Sequence, residues 1–240
     1  MTKLKGLKSL EVYEHDLPYD VAIGYTKSKF LAVDTETGGL DYREHALHLV
    51  QLSNPDGQVS IVQNPDTESH NLIRLLQDGR VSMIFHNAAF DLAFLKMGLM
   101  AEVGTNIHCT KTLMKIAFPQ YSSGLGSALR NILDISVNKK IDHSKWDQQD
   151  LSQRQLDYAA GDVIYLYRLM KVLKTTCSPR QYNIYCRAMQ VVRLKTFTEV
   201  EGYTDLFQWE KEHQEVSEQN RLWWNRLLSL RFEEEKDVTM

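Results

Sequence analysis

Three extended apolar segments precede the first helical pattern of this 240-residue sequence, and the last two flank a tight-turn signature. That signature is Asn54-Pro55-Asp56-Gly57, in which proline presets φ and glycine accepts a positive φ. The two segments therefore predict a β-hairpin, with strands over residues 46–53 and 58–62. The first segment, residues 29–34, predicts another strand, which ends in a carboxylate.

Helical and extended patterns alternate after the hairpin. An apolar stripe predicts a helix that Asp78-Gly79 would end, and Gly98 would end the following helix. The sequence therefore predicts the order βββαβα, then a short fifth strand near Ile107 and further helices. The predicted strand lies at residues 81–85, and the predicted helices lie at 69–77, 88–97, 110–118, 127–133 and 152–173.

The composition narrows the class of protein. Apolar residues make up 43% and charged residues 25%, which is typical of a globular chain and not of a disordered one. With 28 basic and 31 acidic residues, the chain lacks the bulk positive charge that would favour nucleic-acid binding. This composition is still compatible with a local basic groove. No apolar run is long enough for a membrane span, and the first residues lack the apolar core of a signal peptide. Three cysteines without a CxxC pattern indicate a reduced, cytoplasmic protein.

A boundary between two parts of the chain is predicted at Cys177-Ser178-Pro179. Residues 1–179 form one predicted domain, and residues 180–240 form a predicted helical extension. This extension carries a set of large apolar residues that either pack back onto the domain, which we favour, or form the face of a homo-oligomer. The set comprises Trp209, Trp223, Trp224, Leu227 and Leu228.

Two carboxylates stand at the end of the first predicted strand. Asp34 and Glu36 are two positions apart, so their side chains lie on one face of that strand. Close carboxylates repel each other unless a proton or a cation lies between them, and a divalent metal that takes oxygen ligands is the natural occupant. Taken alone, the pair is better explained as a charged strand end in solvent.

Two further acidic elements lie on predicted helices. Asp91 comes one turn into the helix after residues 81–85, where it would also suit the positive helix end, and Asn87 could cap that helix. Tyr158 and Asp162 are four positions apart and so share a helix face, where they could hold a water. Each element alone fits an ordinary surface role. All three together predict one site.

The combined motifs resemble those of the DEDDy 3′–5′ exonucleases, which include ribonuclease D and the proofreading domain of bacterial DNA polymerase I. The three motifs are Asp34-Thr35-Glu36-Thr37, Asn87 to Asp91 and Tyr158 to Asp162, and the resemblance covers about residues 10–175. It implies an α/β fold with a ribonuclease H-like mixed sheet flanked by helices. The C-terminal extension departs from ribonuclease D, because it is too short for that family's two helical RNA-binding domains.

The resemblance also implies a function. The chain would be a metal-dependent 3′–5′ exonuclease that shortens single-stranded RNA or DNA and releases nucleoside 5′-monophosphates with two divalent cations, Mg²⁺ or Mn²⁺. Asp34, Glu36 and Asp162 would bind the first ion, Asp34 would bridge to the second, and Asp91 would support the second. Tyr158 would orient the attacking water, because an ordinary tyrosine pKa of about 10 makes it a poor base.

Three more positions match substrate contacts of the family. Thr37 would bond the terminal nucleotide, or its hydroxyl bonds the local turn. Leu40 would wedge against the last base, or it is a partly buried turn residue. Asn87 would contact the substrate, cap its helix, or do both. The basic cluster Lys139, Lys140, Lys145 and Arg154 would line the phosphate path or form a solvated loop, and Trp146 would pack at the edge of the core.

A second class of function is a catalytically inactive member of the same fold that binds nucleic acid or takes part in an assembly. The loss of one motif acid would favour it. All four acids and the tyrosine are present, which favours the enzyme.

Overall fold

The computed structural model describes residues 4–137 and 146–197. This part of the chain forms one mixed sheet with helices packed on it. The strands are β1 (Ser9–Glu14), β2 (Phe30–Thr37), β3 (Leu47–Ser53), β4 (Gln58–Gln63), β5 (Ser82–Phe85) and β6 (Ile107–Cys109). The helices are α1 (Tyr19–Thr26), α2 (His70–Gln77), α3 (Ala88–Leu99), α4 (Thr110–Ala117), α5 (Leu125–Leu133), α6 (Gln153–Val163), α7 (Leu166–Thr176) and α8 (Pro179–Phe197).

The strands lie in the order β1-β4-β3-β2-β5-β6. Strand β3 runs antiparallel to both of its neighbours, and the other pairs are parallel. The predicted hairpin is confirmed as β3 and β4, whose turn is closed by a bond from the Gly57 N–H to the Asn54 carbonyl and has φ 86° at Gly57. Because β2 and β5 are parallel, their carboxyl ends point to the same edge of the sheet.

Alternation along β2 assigns its side chains to two faces of the sheet. Phe30, Asp34 and Glu36 share one face, on which α6 and α7 pack, and the Phe30 ring lies 5.2 Å from the Tyr167 ring of α7. Thr35 belongs to the opposite face, which α3 also contacts. The predicted α/β architecture, a mixed sheet flanked by helices, is confirmed.

One strand and one helix were missing from the predicted order, which is therefore wrong at its start. Strand β1 forms an edge of the sheet by pairing with β4. The segment is charged and half-exposed, so its own sequence does not indicate a strand, and the pairing with β4 stabilises it as one. Helix α1 has a weak apolar stripe, which the pattern of the sequence does not reveal. Asp16 joins these elements to α2, because its carboxylate accepts bonds from the N–H groups of Asn71 and Leu72.

Two predicted helix boundaries are also wrong. The single helix predicted over residues 152–173 is divided into α6 and α7. Both contact β2, but α6 otherwise packs on β3 and β4, and α7 packs on α4, α5 and β5. Helix α3 continues through Gly98 and ends at Leu99. Gly98 is required for close packing, since a Cβ there would lie 2.9 Å from the Cβ of Leu47.

Helix α8 begins at the predicted domain boundary, and its Tyr185, Ala188, Met189 and Val192 are buried. The division at residue 179, the helical extension and the homo-oligomer stay predictions, and the tryptophan and leucine residues proposed for an oligomer face lie outside the described residues. Within the described ranges, no helix has the length and apolarity needed to cross a membrane. The three cysteines form no disulfide.

Candidate active site

Two of the three motifs meet on one face of the sheet. Asp34, Glu36 and Asp162 each place one carboxylate oxygen within 4.8 Å of the others. The first two lie on the same side of β2, and α6 crosses that side with Asp162 on its inner face, where the residue is 8% exposed. Three carboxylates at this spacing favour a divalent cation, because their mutual repulsion needs compensation.

The start of α6 is held in place by its own sequence and by β4. Ser152 and Gln155 form a reciprocal cap at the first turn of the helix. The side-chain amide of Gln63 in β4 donates to the carbonyls of Gln148 and Gln149, at 2.7 and 2.9 Å. The segment before α6 is therefore tied to the sheet, and this fixes the position of the third motif over the strand acids.

Tyr158 lies against the three carboxylates. Its hydroxyl shares a hydrogen bond with the Asp162 side chain, and its ring lies 6.1 Å from that of Trp146, which is buried. Burial raises the pKa of Tyr158 well above its ordinary value, and the charges of Asp162, Glu36 and Asp34 raise it further. The hydroxyl therefore keeps its proton at neutral pH and can act as a hydrogen-bond donor. The predicted packing of Trp146 at the core is confirmed.

Asp91 reaches the site region from the opposite side of β2. It is 2% exposed, and the Thr35 hydroxyl donates to its Oδ1 at 2.9 Å. It is not one of the three carboxylates grouped within 4.8 Å. Burial raises the pKa of Asp91 to about 7, against the hydrogen bonds from Thr35 and the positive charge of Lys111.

Asn87 occupies the position before α3, but its side chain does not cap the helix. Its backbone is left-handed, with φ 113°, and its side-chain oxygen accepts a bond from the Lys111 ammonium at 3.3 Å. The side-chain cap predicted for Asn87 is therefore wrong. The substrate contact predicted for Asn87 stays a prediction, and Lys111 lies beside that side chain.

The last residue of β2 and the loop that follows it carry the other two predicted substrate contacts. The Thr37 hydroxyl donates to the Gly39 carbonyl at 2.6 Å, which is the local turn bond expected as the alternative to a nucleotide contact. Leu40 is 69% exposed, so it is not the partly buried turn residue of the alternative prediction. At this exposure, packing does not prevent the leucine from contacting a base.

The basic residues predicted near the third motif divide into two groups. Lys139, Lys140 and Lys145 lie outside the described residues, and Arg154 is exposed on α6.

Sequence patterns missed the contacts of Thr35 and Lys111. Thr35 stands inside the first motif, but only the position of α3 shows that its hydroxyl contacts Asp91. Lys111 has no motif around it, and α4 brings it to Asn87.

Two curated proteins show what this chain is similar to in sequence. It is 29% identical over 152 residues to ribonuclease D of Pseudomonas paraeruginosa, a match covering 62% of this chain and 39% of that protein. It is 28% identical over 148 residues to DNA polymerase I of Aquifex aeolicus, covering 61% of this chain and 24% of the polymerase. The aligned part thus spans less than half the length of these curated relatives.

The structural comparison gives a more extensive match. Brucella melitensis NrnC superposes with a TM-score of 0.74 and 30% identity, covering 83% of this chain and 98% of that one, and NrnC has also been solved bound to pGG. Escherichia coli RNase D, at 22% identity and a TM-score of 0.60, shares the fold. A model of the 3′–5′ exonuclease family matches residues 11–177. The predicted family resemblance, fold and hydrolase class are confirmed: the chain belongs to the 3′–5′ exonuclease family.

Proposed function

We propose that this protein is a metal-dependent exonuclease that removes nucleoside 5′-monophosphates from the 3′ end of single-stranded nucleic acid. The observation that carries this proposal is the cluster of Asp34, Glu36 and Asp162, with the protonated Tyr158 hydroxyl against it. All four side chains belong to the motifs that define the resemblance, and the family model covers them.

The donor set fits Mg²⁺ or Mn²⁺, because it consists of oxygen atoms alone. Asp34, Glu36 and Asp162 would hold one ion, and Asp34 with Asp91 would hold a second. Bound there, the two ions would stabilise the attacking and the leaving oxygen of an in-line displacement at phosphorus.

Tyr158 would orient the attacking water. A hydroxyl that keeps its proton cannot act as a general base, so its contribution is to position the water by hydrogen bonding. Asp162, bonded to the same hydroxyl, fixes the direction of that bond. The exposed Leu40 would contact the terminal base, and Asn87 would contact the same nucleotide. Thr37 would join them by exchanging its bond to the Gly39 carbonyl for one to the substrate.

RNA and DNA are both retained as substrates, since a preference depends on contacts to the 2′-hydroxyl. The neighbour NrnC, solved with pGG, adds very short strands to the candidates. The proposed setting is the cytoplasm, where the free thiols of Cys109, Cys177 and Cys186 would persist.

The proposal is tested with 5′-labelled single strands of RNA and DNA of one sequence, at lengths of two nucleotides and of a long oligomer. Each is incubated with Mg²⁺, Mn²⁺ or EDTA. A ladder that shortens from the 3′ end only with a metal supports the proposal, and the fastest substrate identifies the class. Binding without shortening of any strand would contradict it and support the inactive module.

Replacing Tyr158 with phenylalanine is expected to slow cleavage by about 10²-fold, because the attacking water loses the hydroxyl that orients it. Metal binding should be unchanged, since the three carboxylates remain. The rate is measured in single turnover from pH 7 to 10.

The matched control is Tyr167→Phe, which removes a hydroxyl from the neighbouring helix α7, where the ring contacts Phe30. This variant should cleave at the wild-type rate. A Tyr158→Phe enzyme as fast as this control would show that the hydroxyl takes no part in the reaction.

A further inference from the structure

The second residue of the first motif has a contact that the proposed mechanism does not use. Thr35 lies between two of the proposed metal ligands in β2, and side chains alternate along a strand, so its hydroxyl is on the opposite face from theirs. Thr35 is 6% exposed, and the Oδ1 of Asp91 that it bonds at 2.9 Å is equally removed from water.

The backbone explains why these two residues meet. The ladder between β2 and β5 pairs Phe30 to Ala32 with Ser82 to Ile84 and ends there. The chain leaves β5 after Phe85 and enters α3 at Ala88. The first turn of α3 brings Asp91 beside the part of β2 that follows Ala32 and does not pair with β5. The Asp91 carboxylate therefore lies beside the part of β2 that does not pair with β5, and there it contacts Thr35.

We propose that Thr35 is a positioning residue that holds Asp91 at the second metal position. This inference rests on the proposed function. The Thr35 hydroxyl donates to Asp91 Oδ1, and a carboxylate that is ionised to hold a metal only accepts hydrogen bonds, so this bond fixes one of its two oxygens. Because Thr35 is joined by peptide bonds to both Asp34 and Glu36, the same bond sets the distance between Asp91 and the acids of the first motif. Groups that orient a ligand from behind typically change metal affinity by about 10–100-fold when they are removed.

The experiment counts ions bound to the full chain by electron paramagnetic resonance of free Mn²⁺, without nucleic acid. The wild type should bind two Mn²⁺ ions. Thr35→Val, which keeps the shape but removes the hydroxyl, should leave the tighter ion unchanged and weaken the other by about 10–100-fold. Thr35→Ser should restore binding, because it keeps the donor. In the background of Asp91→Asn, Thr35→Val should weaken the second ion no further, since the hydroxyl acts through that carboxylate.

The matched control is Ser60→Ala, which removes another buried hydroxyl from the same face of the sheet. Ser60 accepts a bond from the Tyr25 hydroxyl at 2.9 Å, in β4 and outside the motifs. Its loss should lower thermal stability and leave both ions in place, which separates positioning from general packing.

Three results would overturn the inference: a second ion bound by Thr35→Val as in the wild type, a serine variant as weak as the valine variant, or a further loss in the double variant. Cleavage of labelled RNA and DNA is measured in parallel. A wild type that binds two ions in a Thr35-dependent way but shortens no strand would contradict the proposed function alone. A wild type that cleaves with only one ion bound would overturn this inference and leave the proposed function standing.

Discussion

Replacing Asp162 with asparagine is expected to lower the cleavage rate by about 10³-fold or more. The change removes one of three carboxylates grouped within 4.8 Å and halves the oxygen donors that the third motif offers a cation. A bound metal contributes several kcal/mol of transition-state stabilisation, and each 1.4 kcal/mol is a factor of ten in rate. The shape of the side chain and its bond to Tyr158 are conserved, so the loss would report the charge.

The measurement combines single-turnover cleavage with thermal unfolding in Mg²⁺ and in EDTA. Ligands that bind only the folded state raise its stability, by about 2.7 kcal/mol at a hundredfold excess over Kd. Mg²⁺ should therefore raise the melting temperature of the wild type clearly more than that of the variant, which keeps the proposed second ion position at Asp34 and Asp91. In EDTA the variant should be at least as stable as the wild type, because one repelling charge is gone.

The control is Asp157→Asn, the same change in the same helix. The Asp157 carboxylate accepts a bond from Gln153 at 2.9 Å on the exposed side of α6 and is not one of the three clustered acids. It should keep both the rate and the response to Mg²⁺. Equal activity of the two variants would show that the cluster does not hold the catalytic metal.

Local periodicity explains why the first and third motifs could be predicted from the sequence. Asp34 and Glu36 are two apart in a strand, and Tyr158 and Asp162 are four apart in a helix, so each pair shares a face whatever surrounds it. Their meeting in one site follows from a resemblance that fixes the order of strands and helices. The hairpin was equally predictable, because the turn residues Asn54 to Gly57 carry its geometry.

The features that could not be predicted depend on partners far along the chain. Thr35 and Asp91 are 56 positions apart, and nothing in either segment indicates their bond. Strand β1 becomes a strand through its pairing with β4. Asn87 has a residue type that favours helix capping, yet its left-handed backbone directs the side chain to Lys111 instead. In each case tertiary contacts override a local preference.

A second large effect is expected from Asp91→Asn, which should stabilise the metal-free protein while it impairs the proposed second metal position. Burial raises the pKa of Asp91 from its ordinary value of 3.8 to about 7. Below the lower value both the folded and the unfolded chain hold the proton. Between the two values the unfolded chain releases it and the folded chain keeps it, so the folded state loses stability as pH rises, and above about 7 the loss is complete.

At about 1.4 kcal/mol for each pKa unit, this loss approaches roughly 4 kcal/mol. Asparagine carries no charge to desolvate and still accepts the Thr35 bond, so the variant in EDTA should melt roughly 8–16 °C higher than the wild type at pH 8. At pH 5 the gain should be less than half as large. Asp56→Asn, in the exposed hairpin turn, should give no gain at either pH. The alternative outcome is a gain in melting temperature over the wild type, in EDTA, that is no larger at pH 8 than at pH 5. That result would show that the folded chain accommodates the ionised Asp91 carboxylate without loss of stability. In that case Thr35 and Lys111 would fully offset the cost of burying the Asp91 charge, and a bound metal would not be needed to offset it.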